Sequence, residues 1–132
     1  MTDKKKYLIR PKDRLDDPIP EMGEITRQII VDKRTLGAET LTFAYTRIEP
    51  VKSGKIIEKK HCHPNAELVA FIVSGKGIVE VDDERFEAKA GDSIWVPKGC
   101  SHWFINSFDA PWEVIFAYSR PSLKEAGLKI VG

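Results

Sequence analysis

Short β-type segments separated by turn residues fill most of this 132-residue chain, and they constrain its fold more than any other feature. The segments are rich in β-branched and aromatic residues, and turn residues recur about every ten positions. No window between residues 25 and 118 has helical periodicity, so the pattern predicts an all-β sandwich or barrel. The predicted strands cover residues 25–31, 40–48, 56–61, 68–73, 78–81, 85–88, 93–96, 103–106 and 112–118.

The N-terminal segment, residues 1–24, differs from the rest of the chain. It contains Pro11, Pro18 and Pro20 together with many charges, which argues against a regular helix or a central strand. We therefore predict an extended N-terminal arm over residues 1–24, lying over the domain or over a partner subunit. A partly disordered tail is the alternative.

The predicted barrel domain covers residues 25–120, and a short C-terminal tail covers residues 121–132. In this tail Ser122 and Glu125 have the spacing of a helix capping box, and Gly127 follows as a stop signal. We expect one or two helical turns there.

The charge balance limits the kinds of partner. Lys and Arg number 21 and Asp and Glu number 20, so the formal net charge is +1, whereas nucleic-acid binding needs a basic excess. The longest apolar run, residues 68–73, is far shorter than a membrane span, and the charged N-terminus has no apolar segment of a secretory signal. Two cysteines do not make a disulfide framework. We expect a cytoplasmic protein whose partner is a small molecule, with no nucleic-acid or membrane partner.

The histidines carry the strongest chemical signal. His61 and His63 are separated by one residue at the start of an apolar strand, and residues two apart in an extended chain face the same side. Glu67 has the same parity if the chain stays extended, although Pro64 and Asn65 favour a local bend. Two imidazoles and a carboxylate at one point suit a divalent first-row metal ion. A pair of surface histidines at a strand edge is the alternative.

The third histidine, His102, belongs to a spaced motif: Gly, five residues, Pro, one residue, Gly, two residues, His, three residues, Asn. The residues are Gly91, Pro97, Gly99, His102 and Asn106. This motif resembles the second motif of the cupin superfamily. The first cupin motif is matched by Gly54, His61, His63, Glu67 and Gly75, with one extra residue before His61 and another before Gly75. Because of the second departure, the usual spacing back from Gly75 falls on Leu68, so Glu67 needs a bulge to come into register.

The resemblance covers about residues 35–118 and implies a double-stranded β-helix, the cupin jelly-roll barrel, with a metal ion near one mouth. The implied ligands are His61, His63, Glu67 and His102, and the implied ion is a divalent transition metal (Fe, Mn, Ni or Zn). The remaining motif residues have structural interpretations: Gly91 and Gly99 as turn positions, and Asn106 as a tie between backbone groups.

Two functions follow from the resemblance. The first is a small metal-dependent enzyme of dioxygenase, decarboxylase, isomerase or lyase type. The alternative is a non-catalytic cupin that binds or senses a small molecule. A metal-free structural barrel is a third reading of the same fold.

The remaining expectations concern surfaces beside the predicted site. Cys62 points away from the metal by strand alternation, and a buried thiol is the expected role for both Cys62 and Cys100. Tyr45 and Arg47 share one strand face, which contacts either an anionic ligand or a partner subunit. Residues 68–73 are apolar on both faces although a barrel strand needs one buried face, which predicts a homodimer.

Overall fold

The computed structural model of this chain describes residues 6–23, 25–54 and 59–131, and the protein they form is built from two antiparallel sheets. The strands and the one α-helix are β1 (Leu15–Asp16), β2 (Thr26–Val31), β3 (Thr42–Ile48), β4 (His61–Cys62), β5 (Leu68–Ser74), β6 (Lys76–Val81), β7 (Glu84–Lys89), β8 (Ser93–Val96), β9 (His102–Ile105), β10 (Trp112–Tyr118), α1 (Leu123–Ala126) and β11 (Lys129–Ile130). The predicted strand 56–61 lies partly outside the described residues.

The order of the strands identifies the architecture. The larger sheet has the order β1-β2-β3-β10-β5-β8, and the smaller sheet has the order β11-β4-β9-β6-β7. Neighbouring strands such as β3 and β10 are far apart in sequence, so the chain crosses between the sheets repeatedly. The predicted fold class, an all-β double-stranded β-helix of jelly-roll type, is confirmed.

Strand alternation explains the core. In β5, Leu68, Ala70 and Ile72 are buried while the residues between them are exposed, and β10 alternates in the same way from Trp112 to Tyr118. A pleated strand turns every second side chain to one face, so the buried set packs between the sheets. Buried residues of both sheets form one core cluster.

The two ends of the chain extend the sheets. In the N-terminal arm, Leu15 pairs with Ile29, so β1 adds an edge strand to the larger sheet. Beyond the barrel, Lys129 pairs with Cys62, so β11 adds an edge strand to the smaller sheet. The helix α1 begins as predicted, because the Ser122 hydroxyl accepts a hydrogen bond from the Glu125 N–H. No helix among the described residues is long and apolar enough to cross a membrane.

Candidate metal centre

Three histidines, from two neighbouring strands of the smaller sheet and the loop after one of them, meet at one point. His61 lies in β4 and pairs directly with His102 in β9, while His63 follows β4 by one residue. One ring nitrogen from each lies within 4.8 Å of the others. The ring centroids are 4.3 Å apart for His61 and His102, and 5.2 Å apart for His63 and either of the other two. The predicted convergence of His61 and His63 on His102 is therefore present in the structure.

Backbone carbonyls orient all three rings through the same ring atom. Nδ1 of His61 contacts the Lys59 carbonyl oxygen at 3.1 Å, and Nδ1 of His102 contacts the Cys100 carbonyl oxygen at 3.1 Å. Nδ1 of His63 contacts the Gly127 carbonyl oxygen at 2.6 Å. A carbonyl can only accept, so each Nδ1 carries the hydrogen and each Nε2 keeps its lone pair. This tautomer leaves the three Nε2 atoms free to bind a metal, and the hydrogen bond at Nδ1 fixes the orientation of each ring.

Burial keeps the imidazoles neutral. Desolvation lowers the pKa of His63 to about 4 and that of His102 to about 3, and it also lowers the pKa of His61. The hydrogen bonds from Nδ1 to the backbone carbonyls raise the pKa of each ring and so oppose part of this lowering. At neutral pH the three rings are therefore unprotonated, which is the state that binds a metal. Three neutral imidazoles fit a divalent first-row transition ion, and they leave its charge uncompensated.

Glu67 does not join the histidines. It is exposed, and its carboxylate accepts a hydrogen bond of 2.8 Å from the Trp95 indole on β8. The reason lies in a turn: the Ala66 N–H bonds back to the His63 carbonyl oxygen, so the chain is not extended between His63 and β5. The turn gives Glu67 the parity of the outward residues of β5, whereas Leu68 faces the core. The structure therefore brings three of the four predicted ligands together.

The histidines open into a cavity of about 380 Å³ inside the barrel. Its walls come from both sheets, from the N-terminal arm and from the C-terminal tail. The apolar lining residues are Ile19, Met22, Ile25, Ile48, Phe104, Phe116, Leu123 and Leu128. A concave, mostly apolar cavity with a few converging polar groups is the usual form of a small-molecule site.

Two cavity residues were missed by sequence reasoning. Arg27 at the start of β2 lines the cavity beside the histidines, and its charge contributes to lowering the pKa of His61 and His63. Tyr118 packs edge-on against His63 with ring centroids 5.1 Å apart, and burial raises the pKa of its hydroxyl. The alternation of their strands indicates which residues face inward, but it does not indicate which inward residues reach the cavity.

Other residues singled out in the sequence lie elsewhere. The Tyr45 hydroxyl bonds to Glu113 and Arg47 bonds to Glu49, and neither Tyr45 nor Arg47 lines the cavity. They lie on the outer face of the larger sheet. Cys62 and Cys100 are free thiols.

The structural roles expected for the second motif are present. Gly91 and Gly99 both have positive φ, +94° and +76°, which explains glycine at these turns. The Gly99 N–H also donates to the His63 carbonyl oxygen, which ties the turn to the histidine cluster. Asn106 bonds three backbone groups.

Comparison with known proteins agrees with this geometry. The family model described as "Cupin domain" matches residues 47–118, which include all three histidines. An uncharacterized protein of Methanocaldococcus jannaschii is 29% identical over 104 residues, covering 78% of this chain and 78% of that protein. Protein SchB of Streptomyces halstedii is 27% identical over 75 residues, covering 57% of this chain and 54% of that protein.

Solved structures share the fold. An oxalate decarboxylase from Lactobacillus farciminis, in a formate complex, superposes with a TM-score of 0.68 at 25% identity, covering 84% of this chain. The chain spans only 32% of that larger protein. The polyketide cyclase RemF from Streptomyces resistomycificus superposes with a TM-score of 0.72 at 18% identity, covering 96% of this chain and 85% of that protein. These likenesses establish the barrel, with both its sheets, as a shared scaffold.

Proposed function

The chain belongs to the cupin domain family, and from this premise we propose that it is a metal-dependent enzyme acting on a small molecule. The observation that carries the proposal is the meeting of three neutral histidines at the wall of a largely apolar cavity. A metal site that opens into a cavity can bind a small molecule, as catalytic metal sites do, whereas structural metal sites are closed.

The proposed metal ligands are His61, His63 and His102. A bound divalent transition ion supplies a Lewis acid, or an oxygen-activating centre if the ion is iron. The reaction classes compatible with such a site are the dioxygenase, decarboxylase, isomerase and lyase types. Glu67 is left out of the proposed ligand set because its carboxylate is bound to Trp95 outside the cluster.

The protein's own residues orient and shield the site. The carbonyls of Lys59, Cys100 and Gly127 hold the imidazoles with Nε2 free, and the apolar part of the cavity wall would cover part of a bound molecule. The Tyr118 hydroxyl is protonated at neutral pH, as an ordinary tyrosine is, and burial raises its pKa further, so it can donate a hydrogen bond beside His63.

Elemental analysis of the purified protein tests the metal site. We expect stoichiometric transition metal in the wild-type protein and loss of most of it in His61→Ala and His102→Ala, because removing one of three donors weakens the site severely. Glu67→Gln is the matched control, and it should keep its metal. Unchanged metal content in both histidine variants overturns the ligand assignment.

Catalysis needs a separate test on the metal-loaded protein. Substrate screens run with and without oxygen should give turnover that is lost in His102→Ala. A ligand that raises thermal stability yet is recovered chemically unchanged in every condition supports the non-catalytic binding function instead.

We also propose a cytoplasmic homodimer. Val69, Phe71, Val73 and Trp95 are between 45% and 60% exposed on the outer face of the larger sheet, and monomers rarely leave such a contiguous apolar patch uncovered. Beside the patch, the Glu113 carboxylate accepts hydrogen bonds from the Tyr45 and Ser74 hydroxyls, and the Glu67 carboxylate accepts one from the Trp95 indole. A second copy that covers the face therefore meets carboxylates that already have hydrogen-bond donors within the chain. The free thiols Cys62 and Cys100 suit the reducing cytoplasm.

A further inference from the structure

The cavity is strongly biased toward positive charge, although the whole chain is nearly neutral. Among the described residues, its ionisable lining other than the histidines and Tyr118 consists of five cations and one acid, Asp17. The cations are Arg27, Lys33, Arg34, Lys59 and Lys124. A cavity wall of one sign concentrates ligands of the opposite sign.

The cations differ in how much of their charge is already compensated. Lys33 pairs with Glu125 at 3.2 Å and Arg34 pairs with Asp32 at 2.8 Å, and both cationic side chains are about half exposed. For Lys59 and Lys124, no ion pair forms within the described part of the chain. Lys33, Arg34 and Lys124 are therefore exposed cations at the edge of the cavity, whereas Lys59 is half-buried.

Arg27 lies deeper than the exposed cations, with 12% of its side chain exposed. It stands opposite Thr46 on the neighbouring strand, and Thr46 also lines the cavity. All three histidines line the same cavity as Arg27. This position allows one molecule to contact both the arginine and the proposed metal site.

The guanidinium already binds a carboxylate. Arg27 Nε donates to the Asp17 carbonyl oxygen at 2.9 Å, and Nη2 donates to the Asp17 carboxylate at 3.1 Å. These two contacts use a minority of the five N–H donors of a guanidinium, whose fork matches a carboxylate group. The Asp17 side chain is 31% exposed, and its backbone N–H is bonded to the Arg27 carbonyl oxygen at 2.8 Å. The carboxylate alone can therefore turn aside or share the arginine with a ligand.

We propose that the cavity takes an organic carboxylate with an apolar body, and that Arg27 binds its carboxylate group. This inference rests on the proposed function, since it names the substrate class of the same site. The apolar side chains of Ile19, Phe104 and Leu128 pack against the body of the molecule. The positive charge of the surrounding lysines favours the entry of an anion.

The competing interpretation is that Arg27 only fastens the N-terminal arm through Asp17. The two interpretations differ in what Asp17 does. If a ligand uses Arg27, then Asp17 competes with it, and Asp17→Asn leaves carboxylate binding unchanged or stronger. If Arg27 only holds the N-terminal arm in place, then Asp17→Asn destabilises the cavity wall as Arg27→Gln does, and both variants weaken the binding of carboxylate and amide alike.

Calorimetric titration of the full-length protein with paired probes separates these cases. The probes are butanoate, hexanoate, octanoate and benzoate, each compared with its neutral amide. We expect at least one carboxylate to bind about tenfold more tightly than its amide, because the charge-assisted hydrogen bonds to a guanidinium are lost in the amide. Arg27→Gln should weaken the carboxylate about tenfold and leave the amide within about threefold. Arg85→Gln is the matched control, because Arg85 is an exposed arginine of β7 that pairs with Glu80 of β6. It should change the affinity of neither the carboxylate nor the amide.

Titrations with metal-loaded and chelator-treated protein distinguish this inference from the proposed metal site. Carboxylate preference that survives metal removal and is lost in Arg27→Gln supports the inference even if the metal assignment fails. Carboxylate preference that disappears with the metal and is unaffected by Arg27→Gln overturns it while leaving the metal site intact. Equal binding of every carboxylate and amide, no binding of any probe, or equal weakening of carboxylate and amide in both Asp17→Asn and Arg27→Gln also overturns it.

Discussion

Asn106 shows how one buried amide holds several backbone segments together. It is fully buried, its Nδ2 donates to the carbonyl oxygens of Ile48 and Ala110 at 2.9 and 2.8 Å, and its Oδ1 accepts from the Phe108 N–H at 3.1 Å. Asn106→Asp removes both donated bonds and places a carboxylate against two carbonyls. We expect a loss of about 3 kcal/mol in the free energy of unfolding, measured by urea denaturation.

The control for this change is Asn65→Asp. Asn65 is exposed, and its Nδ2 makes one bond of 3.2 Å to the Glu125 carbonyl oxygen. Its replacement should cost less than about 1 kcal/mol. Similar losses in the two variants would contradict the role assigned to Asn106.

Tyr45 predicts a change in stability at alkaline pH. Burial, with help from the hydrogen bond to Glu113, raises its pKa to about 12. The fold therefore favours the neutral phenol, and this contribution is complete below the unfolded value of about 10 and is lost as pH rises toward about 12. Denaturation curves across this range should show a steeper loss in the wild-type protein than in Tyr45→Phe. Parallel losses would show that Tyr45 does not carry the effect.

The residues of the proposed site divide into those whose position the sequence could predict and those whose position it could not. The alternation of an extended strand was enough to place His61 and His63 together, and the spaced motif added His102. The same alternation would place Glu67 beside the histidines only in an extended chain, and the turn from His63 to Ala66 interrupts the strand. No sequence motif around Arg27 indicates that it lines the cavity, because its position there depends on which segments close the cavity.

At the scale of elements, β6 and β10 depend on one close contact. Trp112 is fully buried with its ring over Gly77, and a Cβ added at Gly77 would lie well inside van der Waals contact of that ring. Gly77→Ala should therefore destabilise the protein by about 2–4 kcal/mol, because the ring has no free space to move into. Urea denaturation measures the loss.

A double-mutant cycle separates this clash from the general cost of changing a strand residue. In a Trp112→Leu background the ring is absent, so Gly77→Ala should cost less than about 1 kcal/mol there. If Gly77→Ala cannot be purified alone but folds together with Trp112→Leu, the coupling is equally established. Equal costs in both backgrounds would refute the contact.

Strands were predicted accurately where burial in the core imposes an alternating pattern on the sequence. They were missed where a short segment becomes a strand only by pairing with a neighbouring strand. The bounds of β8 and β10 match the predicted strands, because alternating buried residues define both. The edge strands β1 and β11 have two residues each and no such pattern. They exist because β2 and β4 offer free edges, which are a property of the assembled sheet.

At the scale of the whole molecule, the cavity depends on segments that the sequence presented as appendages. Ile19 and Met22 of the arm and Leu128 of the tail line the cavity that holds the histidines. The tail also supplies the Gly127 carbonyl that orients His63. The barrel alone was predictable from its repeated strands, whereas the closure of its mouth is a tertiary arrangement with no local pattern.

The outer face of the larger sheet gives the last prediction. Phe71 lies beside Ile115 on β10, Val69 lies beside Trp95 on β8, and Phe71 is 47% exposed. If a second copy covers this face, then Phe71→Glu buries two symmetry-related charges against apolar surface, and the dimer should dissociate. Light scattering at micromolar concentration should give twice the chain mass for the wild-type protein and the chain mass for Phe71→Glu. Ile130→Glu, at a residue 37% exposed on the smaller sheet, should remain a dimer. A monomeric wild-type protein, or dissociation of both variants alike, would show that this face is not the interface.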